Sequence, residues 1–195
     1  MVKKIKSIKL TELNEAYNKV LTFFFSFPNI DITLNELSLK LKISKTTAKK
    51  TIMRLIDEGF LTRTIYGKTW IIKCNQNSPY NSSRKIAFNL HMVFEAYLNG
   101  LRDDIFAQVR NPSAVILFGS YRKGDDIETS DIDIAAEILD DKGCGIVELG
   151  RIAEFGYRKN ITVNLHVFCR KNIDNNLFAN IANGIVLEGF LEVKP

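Results

Sequence analysis

Residues 117–134 read Leu-Phe-Gly-Ser-Tyr-Arg-Lys-Gly-Asp-Asp-Ile-Glu-Thr-Ser-Asp-Ile-Asp-Ile. An apolar run from Ala114 to Phe118 stops at Gly119-Ser120, and Asp131 and Asp133 follow with Ile132 between them. In an extended strand, residues i and i+2 share a face. The spacing therefore predicts that both acids project together while Ile132 and Ile134 turn toward a core. Two carboxylates so placed offer hard oxygen donors suited to Mg²⁺ or Mn²⁺, ions that keep some waters and are completed by substrate phosphates. Gly119 lets backbone approach a phosphate closely, and the Ser120 hydroxyl can donate to its oxygen. These parts point to a nucleoside triphosphate held through a metal.

Gly-Ser, ten residues, then Asp-x-Asp resembles the signature of the DNA polymerase beta-like nucleotidyltransferase superfamily, and within it the minimal nucleotidyltransferase branch. Gly124 and Ser130 also fit that pattern, and the resemblance runs roughly from Pro112 to Gly189. It implies transfer of a nucleoside monophosphate from an NTP, with ATP the expected one, onto an acceptor. Asp131 and Asp133 would hold the metal, and Gly119, Ser120 and Ser130 the nucleotide. Arg122 and Lys123 stand where a cation can neutralise phosphate charge. The branch allows a protein acceptor, such as the partner toxin of a toxin–antitoxin pair.

One departure bears on catalysis. Family members carry a third carboxylate on a later strand, here matched by residues 161–168, Ile-Thr-Val-Asn-Leu-His-Val-Phe. The odd positions are apolar and predict a core-facing side, which leaves Asn164 and His166 beside the two acids. Asn164 takes the acidic metal-ligand position by register, but a neutral amide cannot act as a general base. His166, an imidazole, is the candidate that could accept a proton. Three functions stay open on these residues: a nucleotidyltransferase, a DNA-binding regulator whose catalytically degenerate rear domain senses nucleotide, and an antitoxin-like protein that docks a partner.

The front of the chain reads differently. Residues 1–80 hold 14 Lys/Arg against 6 Asp/Glu, a balance of +8, whereas residues 81–195 hold 13 against 16, a balance of −3. Such asymmetry predicts that the front part meets a polyanion. A helical period covers Leu10–Phe27 and Pro28-Asn29 stops it. Ile30–Ile32 is a short strand candidate. Thr33 with Glu36 spells a capping box for a second helix, and Ser44 caps a third that Gly59 ends. Phe60–Ile65 and Thr69–Lys73 form a hairpin around Tyr66-Gly67-Lys68. Roughly from Glu12 to Lys73 this order resembles a winged helix-turn-helix domain, which implies binding to double-stranded DNA. Lys45, Thr46, Thr47, Lys49, Lys50 and Arg54 line the outward face of the third helix, the one that would enter a major groove. Arg63 and Lys68 on the wing would touch the DNA backbone. Winged helices also serve as RNA- or protein-binding modules, and both alternatives stand.

The expected class is α/β (α+β): a winged helix-turn-helix over 1–74, a linker over 75–83 that is polar and carries Pro79, and a nucleotidyltransferase-like domain over 84–195 with a small mixed sheet flanked by helices. Arg84–Val109 predicts a long helix that Gly100 splits, whose first piece can pack between domains or form a homodimer seam. Asp140–Gly145 predicts a turn, Ile146–Tyr157 a helix, Ile173–Ala182 a last helix and residues 184–188 a final strand. Three widely spaced cysteines suit reduced thiols in a cytoplasm. The longest apolar run, Val20–Phe27, is too short to span a bilayer. No membrane partner is expected.

Overall fold

Thr33 and Ser44 start the two helices assigned to them. A computed structural model describes residues 14–139 and 143–193. Helix α1 (Glu15–Ser26) begins on an Asn14 cap; its expected start at Leu10 and the opening of the Asp140 turn lie outside the described residues. Strand β1 (Ile32–Thr33) leads into α2 (Leu34–Lys40), where Thr33 and Glu36 exchange both bonds of the capping box. The Ser44 hydroxyl accepts from the Thr47 N–H to open α3 (Lys45–Asp57). Strands β2 (Leu61–Tyr66) and β3 (Thr69–Cys74) form the hairpin, and β1 completes a sheet ordered β1-β3-β2. Val20, Phe24, Leu37, Ile52, Leu55, Phe60 and Ile72 bury the apolar stripes of these elements in one core. Full burial of such side chains contributes roughly 1.5–3 kcal/mol each.

The segment expected as a linker is packed. The Asn75 N–H donates to Phe60 O at 2.8 Å, Asn81 Nδ2 donates to Gln76 O at 2.9 Å, and the Tyr80 ring stacks on Phe60. Helical structure already begins with a π-turn at Asn81–Lys85, continues as α4 (Ile86–Ala96), kinks through a second π-turn at Tyr97–Leu101 and ends as α5 (Arg102–Gln108). The kink falls at Asn99-Gly100, where the helix was expected to split.

The second sheet comprises β4 (Ala114–Phe118), β5 (Ile132–Glu137), β6 (Gly145–Phe155), β7 (Arg158–Phe168) and β8 (Ile185–Gly189), in the order β6-β7-β5-β4-β8. Among the described residues only the β5–β7 pair is parallel, so the sheet is mixed as anticipated. One face packs on α4 and α5 through Ile132, Ile134, Leu165, Val93 and Ile105. The other, with Ile116, Ala135 and Phe168, lies under α7 (Asn175–Ala182).

One element departs from the sequence reading. Residues 146–157, expected as a helix, form most of strand β6 and the turn into β7. Ile146 to Phe155 pair antiparallel with β7, and a bulge between Glu148 and Gly150 shifts the register. The apolar residues Val147, Leu149 and Ile152 stand two and three positions apart, a pattern that a bulged strand accommodates, and the β7 edge beside them offers backbone partners. Tertiary pairing overrides local period here.

The two sheets do not hang apart. Tyr157 N–H donates to Ser26 Oγ at 3.0 Å, and Phe88 of α4 packs against both cores. Asn29 gives its backbone N–H and its Nδ2 to the Glu128 carboxylate, each at 2.9 Å. No described helix is long and apolar enough to cross a membrane.

Candidate active site

The site grows from the end of β4. Gly119 follows Phe118 with φ +72°, a left-handed conformation that side chains resist. A Cβ built there would sit 2.8 Å from Asp133 Oδ2. Backbone therefore lies directly against one of the two acids. Ser120 and Arg122 are half-buried and Lys123 exposed on the short helix α6 (Gly119–Lys123). Gly124 ends it at φ +77°, with the Asn81 carbonyl where a side chain would be.

Between α6 and β5 the chain is held by charge. The Asp126 carboxylate is buried and accepts from Asn89 Nδ2 at 2.7 Å and Arg158 Nη2 at 2.9 Å, with Lys85 Nζ 3.3 Å away. Asn89 also donates to Tyr121 O, Lys85 to Asp126 O, and Arg158 to Ile127 O. Burial pushes the Lys85 ammonium below its ordinary value, with the Asp126 charge acting the other way. The sequence reading missed this cluster. A signal was present, because Lys85 and Asn89 continue the four-residue spacing of buried Val93 and Tyr97 on the same helix. Ser130, expected at the nucleotide, instead uses its hydroxyl to accept the Ile127 N–H at 2.9 Å and close the turn.

Asp131 is exposed and Asp133 half-buried, while Ile132 and Ile134 are fully buried. In register Asp133 faces Asn164 on β7. Asn164 Nδ2 donates to Asp131 Oδ2 at 3.4 Å, and His166 Nε2 lies 3.1 Å from Asp133 Oδ1. The four polar residues named from the strands are thus gathered on one face. His166 is constrained: Phe118 meets its ring edge-on at 4.9 Å, and Nδ1 is buried with no hydrogen-bond partner among the described residues. Neither nitrogen is open to an acceptor group as placed. No group of three or more His, Cys, Asp or Glu side chains among the described residues converges as a metal cluster.

On the front unit, Lys45, Thr46, Lys49 and Lys50 are exposed on α3, and Thr47 Oγ1 is engaged with Ser44 Oγ at 2.8 Å. Lys49 and Arg63 both lie over the Trp70 ring, at 5.2 and 4.2 Å. Lys49, with Lys45, Lys68 and Asn35, borders a groove of about 520 Å³ lined by Trp70. Arg54 turns the other way, donating to Glu58 at 2.9 Å over the Tyr17 ring.

Residues 103–187 match the family model described as "Polymerase beta, Nucleotidyltransferase". The match supports the nucleotidyltransferase superfamily for this part of the chain and, at family level, nucleotidyl transfer with an NTP and a divalent metal. No curated protein matches the chain.

Proposed function

We propose that the rear domain transfers a nucleoside monophosphate from Mg²⁺-bound ATP to an acceptor hydroxyl, and that the front unit is a winged helix-turn-helix that binds double-stranded DNA. The observation that carries the first part is the pairing of Asp131 and Asp133 on one sheet face, with the Gly119 backbone against Asp133. Two hard carboxylates beside a backbone approach that tolerates no side chain fit a divalent cation shared with phosphate. Asp131 and Asp133 would hold it. Bound there, the cation supplies charge neutralisation for the attacking and leaving oxygens. Ser120 and the Gly119 backbone bind the outer phosphates. Asn164 and His166 orient the acids through their hydrogen bonds, so His166 acts as a positioning residue in place of the base first assigned to it. Orienting partners of metal-binding carboxylates matter because they fix ligand geometry.

The test uses α-labelled ATP, Mg²⁺ or Mn²⁺ and a host-cell lysate as the source of acceptor. Label transfer with pyrophosphate release is expected, and both should vanish in Asp131→Ala. Wild-type protein that releases no pyrophosphate under either metal refutes the transferase reading.

The order helix, strand, two helices and hairpin, with Lys45, Lys49 and Lys68 around the Trp70 groove, supports DNA binding by the front unit. One observation favours a regulator as second reading: Glu128, three residues before Asp131, is bonded to Asn29 of the front unit. Under that reading ATP changes DNA affinity without pyrophosphate release.

A further inference from the structure

We propose that Glu148, on the edge strand β6, is the general base that the Asn164 position lacks; the proposal rests on the transferase reading above. Strands β4 and β7 flank β5 on opposite sides. Gly119 and Ser120, which bind the outer phosphates, follow β4, so pyrophosphate leaves on the β4 side. In-line displacement then brings the acceptor hydroxyl from the side of β7 and β6.

Register defines what waits there. Asp133 pairs with Asn164, and Asn164 pairs with Glu148, so the three share one row and one face across β5, β7 and β6. Arg151 pairs with Thr162 on the same face and lies 3.7 Å from the Glu148 carboxylate. Asn164 itself cannot take a proton. Glu148 is the carboxylate this row offers on the side of attack.

The spacing suits the role. Strands about 4.8 Å apart place the Glu148 and Asp133 backbones roughly 10 Å from each other. A near-attack oxygen about 3.3 Å from phosphorus, plus a hydrogen bond of about 2.8 Å to the base, spans roughly 6 Å of that gap. The rest is within reach of a glutamate side chain. In the step, the acceptor oxygen bonds to the α-phosphorus as its proton passes to Glu148. The bond from α-phosphorus to the bridging oxygen breaks, and its electron pair leaves with pyrophosphate.

Two measurements decide it. In a crystal grown with Mn²⁺ and the α,β-methylene analogue of ATP, the Glu148 carboxylate should lie about 6 Å from the α-phosphorus, opposite the leaving group. A carboxylate on the pyrophosphate side, or one beyond about 10 Å, overturns the proposal without any turnover being needed. In solution, Glu148→Gln should lose about 10²–10⁴-fold in pyrophosphate release, while Mn²⁺–ATP affinity by titration calorimetry stays within twofold. Asn164→Asp in that background should restore part of the rate. An unchanged rate in Glu148→Gln overturns the assignment, and so does a tenfold loss of Mn²⁺–ATP affinity, which would make Glu148 a ligand. Wild-type protein that binds Mn²⁺–ATP yet releases no pyrophosphate refutes the transferase reading, and the crystal geometry still decides the placement of Glu148.

Discussion

Replacing Asp126 with Ala is expected to destabilise the protein more than any other single polar substitution near the site. The side chains of Asp126, Lys85 and Arg158 are all more than nine-tenths buried, and the one acid serves both cations. Removing it leaves two buried positive groups without their carboxylate, and Asn89 Nδ2 loses its 2.7 Å partner. Breaking a buried pair from one side costs about 3–5 kcal/mol, against a total stability on the order of 5–15 kcal/mol. Lys85→Met is a milder change, because Arg158 and Asn89 still satisfy Asp126 and burial already works against the Lys85 charge. With a urea slope of about 2 kcal/mol per molar, the Asp126→Ala midpoint should fall by roughly 1.5–2.5 M. Urea titration followed by far-ultraviolet circular dichroism gives that number. Fluorescence of the single tryptophan, Trp70, reports the front unit separately. Both signals should shift together, since α4 carries Asn89, directly after the π-turn that ends at Lys85, on one side and Phe88, shared by the two cores, on another. A midpoint change under about 0.5 M, or Lys85→Met costing as much as Asp126→Ala, would refute the reasoning.

Gly119→Ala combines about 1–2 kcal/mol of left-handed strain with a methyl 2.8 Å from Asp133 Oδ2, so Mn²⁺–ATP affinity by calorimetry should fall at least tenfold. Lys45→Ala, Lys49→Ala and Lys68→Ala should each weaken DNA binding about equally across sequences and reduce the slope of log affinity against log salt by about 1, measured by fluorescence anisotropy. Burial of Glu58 acts to raise its pKa, but hydrogen bonds from Tyr17, Arg54 and Tyr80 hold it below the usual carboxylate range. A depressed folded-state pKa stabilises above the unfolded value and is lost on acidification through the folded one. Stability should therefore drop as pH falls below about 4.3, and Glu58→Gln should show a shallower acid limb in thermal melts at pH 3–5.

The site motif was legible because its grammar is local. A strand that ends in Gly-Ser and an alternating Asp-Ile-Asp fix which side chains share a face before any partner is known. The front helices were legible for the same reason: Thr33, Glu36 and Ser44 act within one turn of themselves. What the sequence hid depends on distant partners. Strand β6 carries spacings that serve either a helix or a bulged strand, and only the edge of β7 decides between them. Misreading it as a helix removed Glu148 and Arg151 from the site face altogether. The buried charge cluster joins residues 31 to 41 positions apart, so the helical spacing of Lys85 and Asn89 signals burial without naming Asp126 and Arg158 as their partners. Polar composition over 75–83 suggested a loose linker, yet Asn75, Tyr80 and Asn81 spend that polarity and that ring on the neighbouring chain.

Alternate residues of one short loop reach three neighbours. Asp126 points inward to α4, Glu128 outward to Asn29, and Ser130 back across the turn beside Asp131. On the regulator reading, a shift of Asp131 on nucleotide binding would be felt first at Glu128, because Asp126 is anchored by Asn89 and Arg158. The two Asn29–Glu128 bonds are solvent-exposed, which limits the coupling they transmit to about 1–2 kcal/mol, or roughly 5–30-fold in DNA affinity. Asn29→Ala keeps its backbone N–H bond to Glu128 and loses the side-chain one. It should reduce the effect of Mg²⁺–ATP on DNA affinity by about half in free energy, on the premise of similar bonds. The affinity for DNA without nucleotide, and for nucleotide without DNA, should stay as in the wild type. By linkage, DNA must change nucleotide affinity by the same factor. A nucleotide effect that survives intact in the Asn29→Ala, Glu128→Ala double variant would place the coupling elsewhere, with the Ser26–Tyr157 and Arg84–Tyr17 contacts as further polar routes between the units.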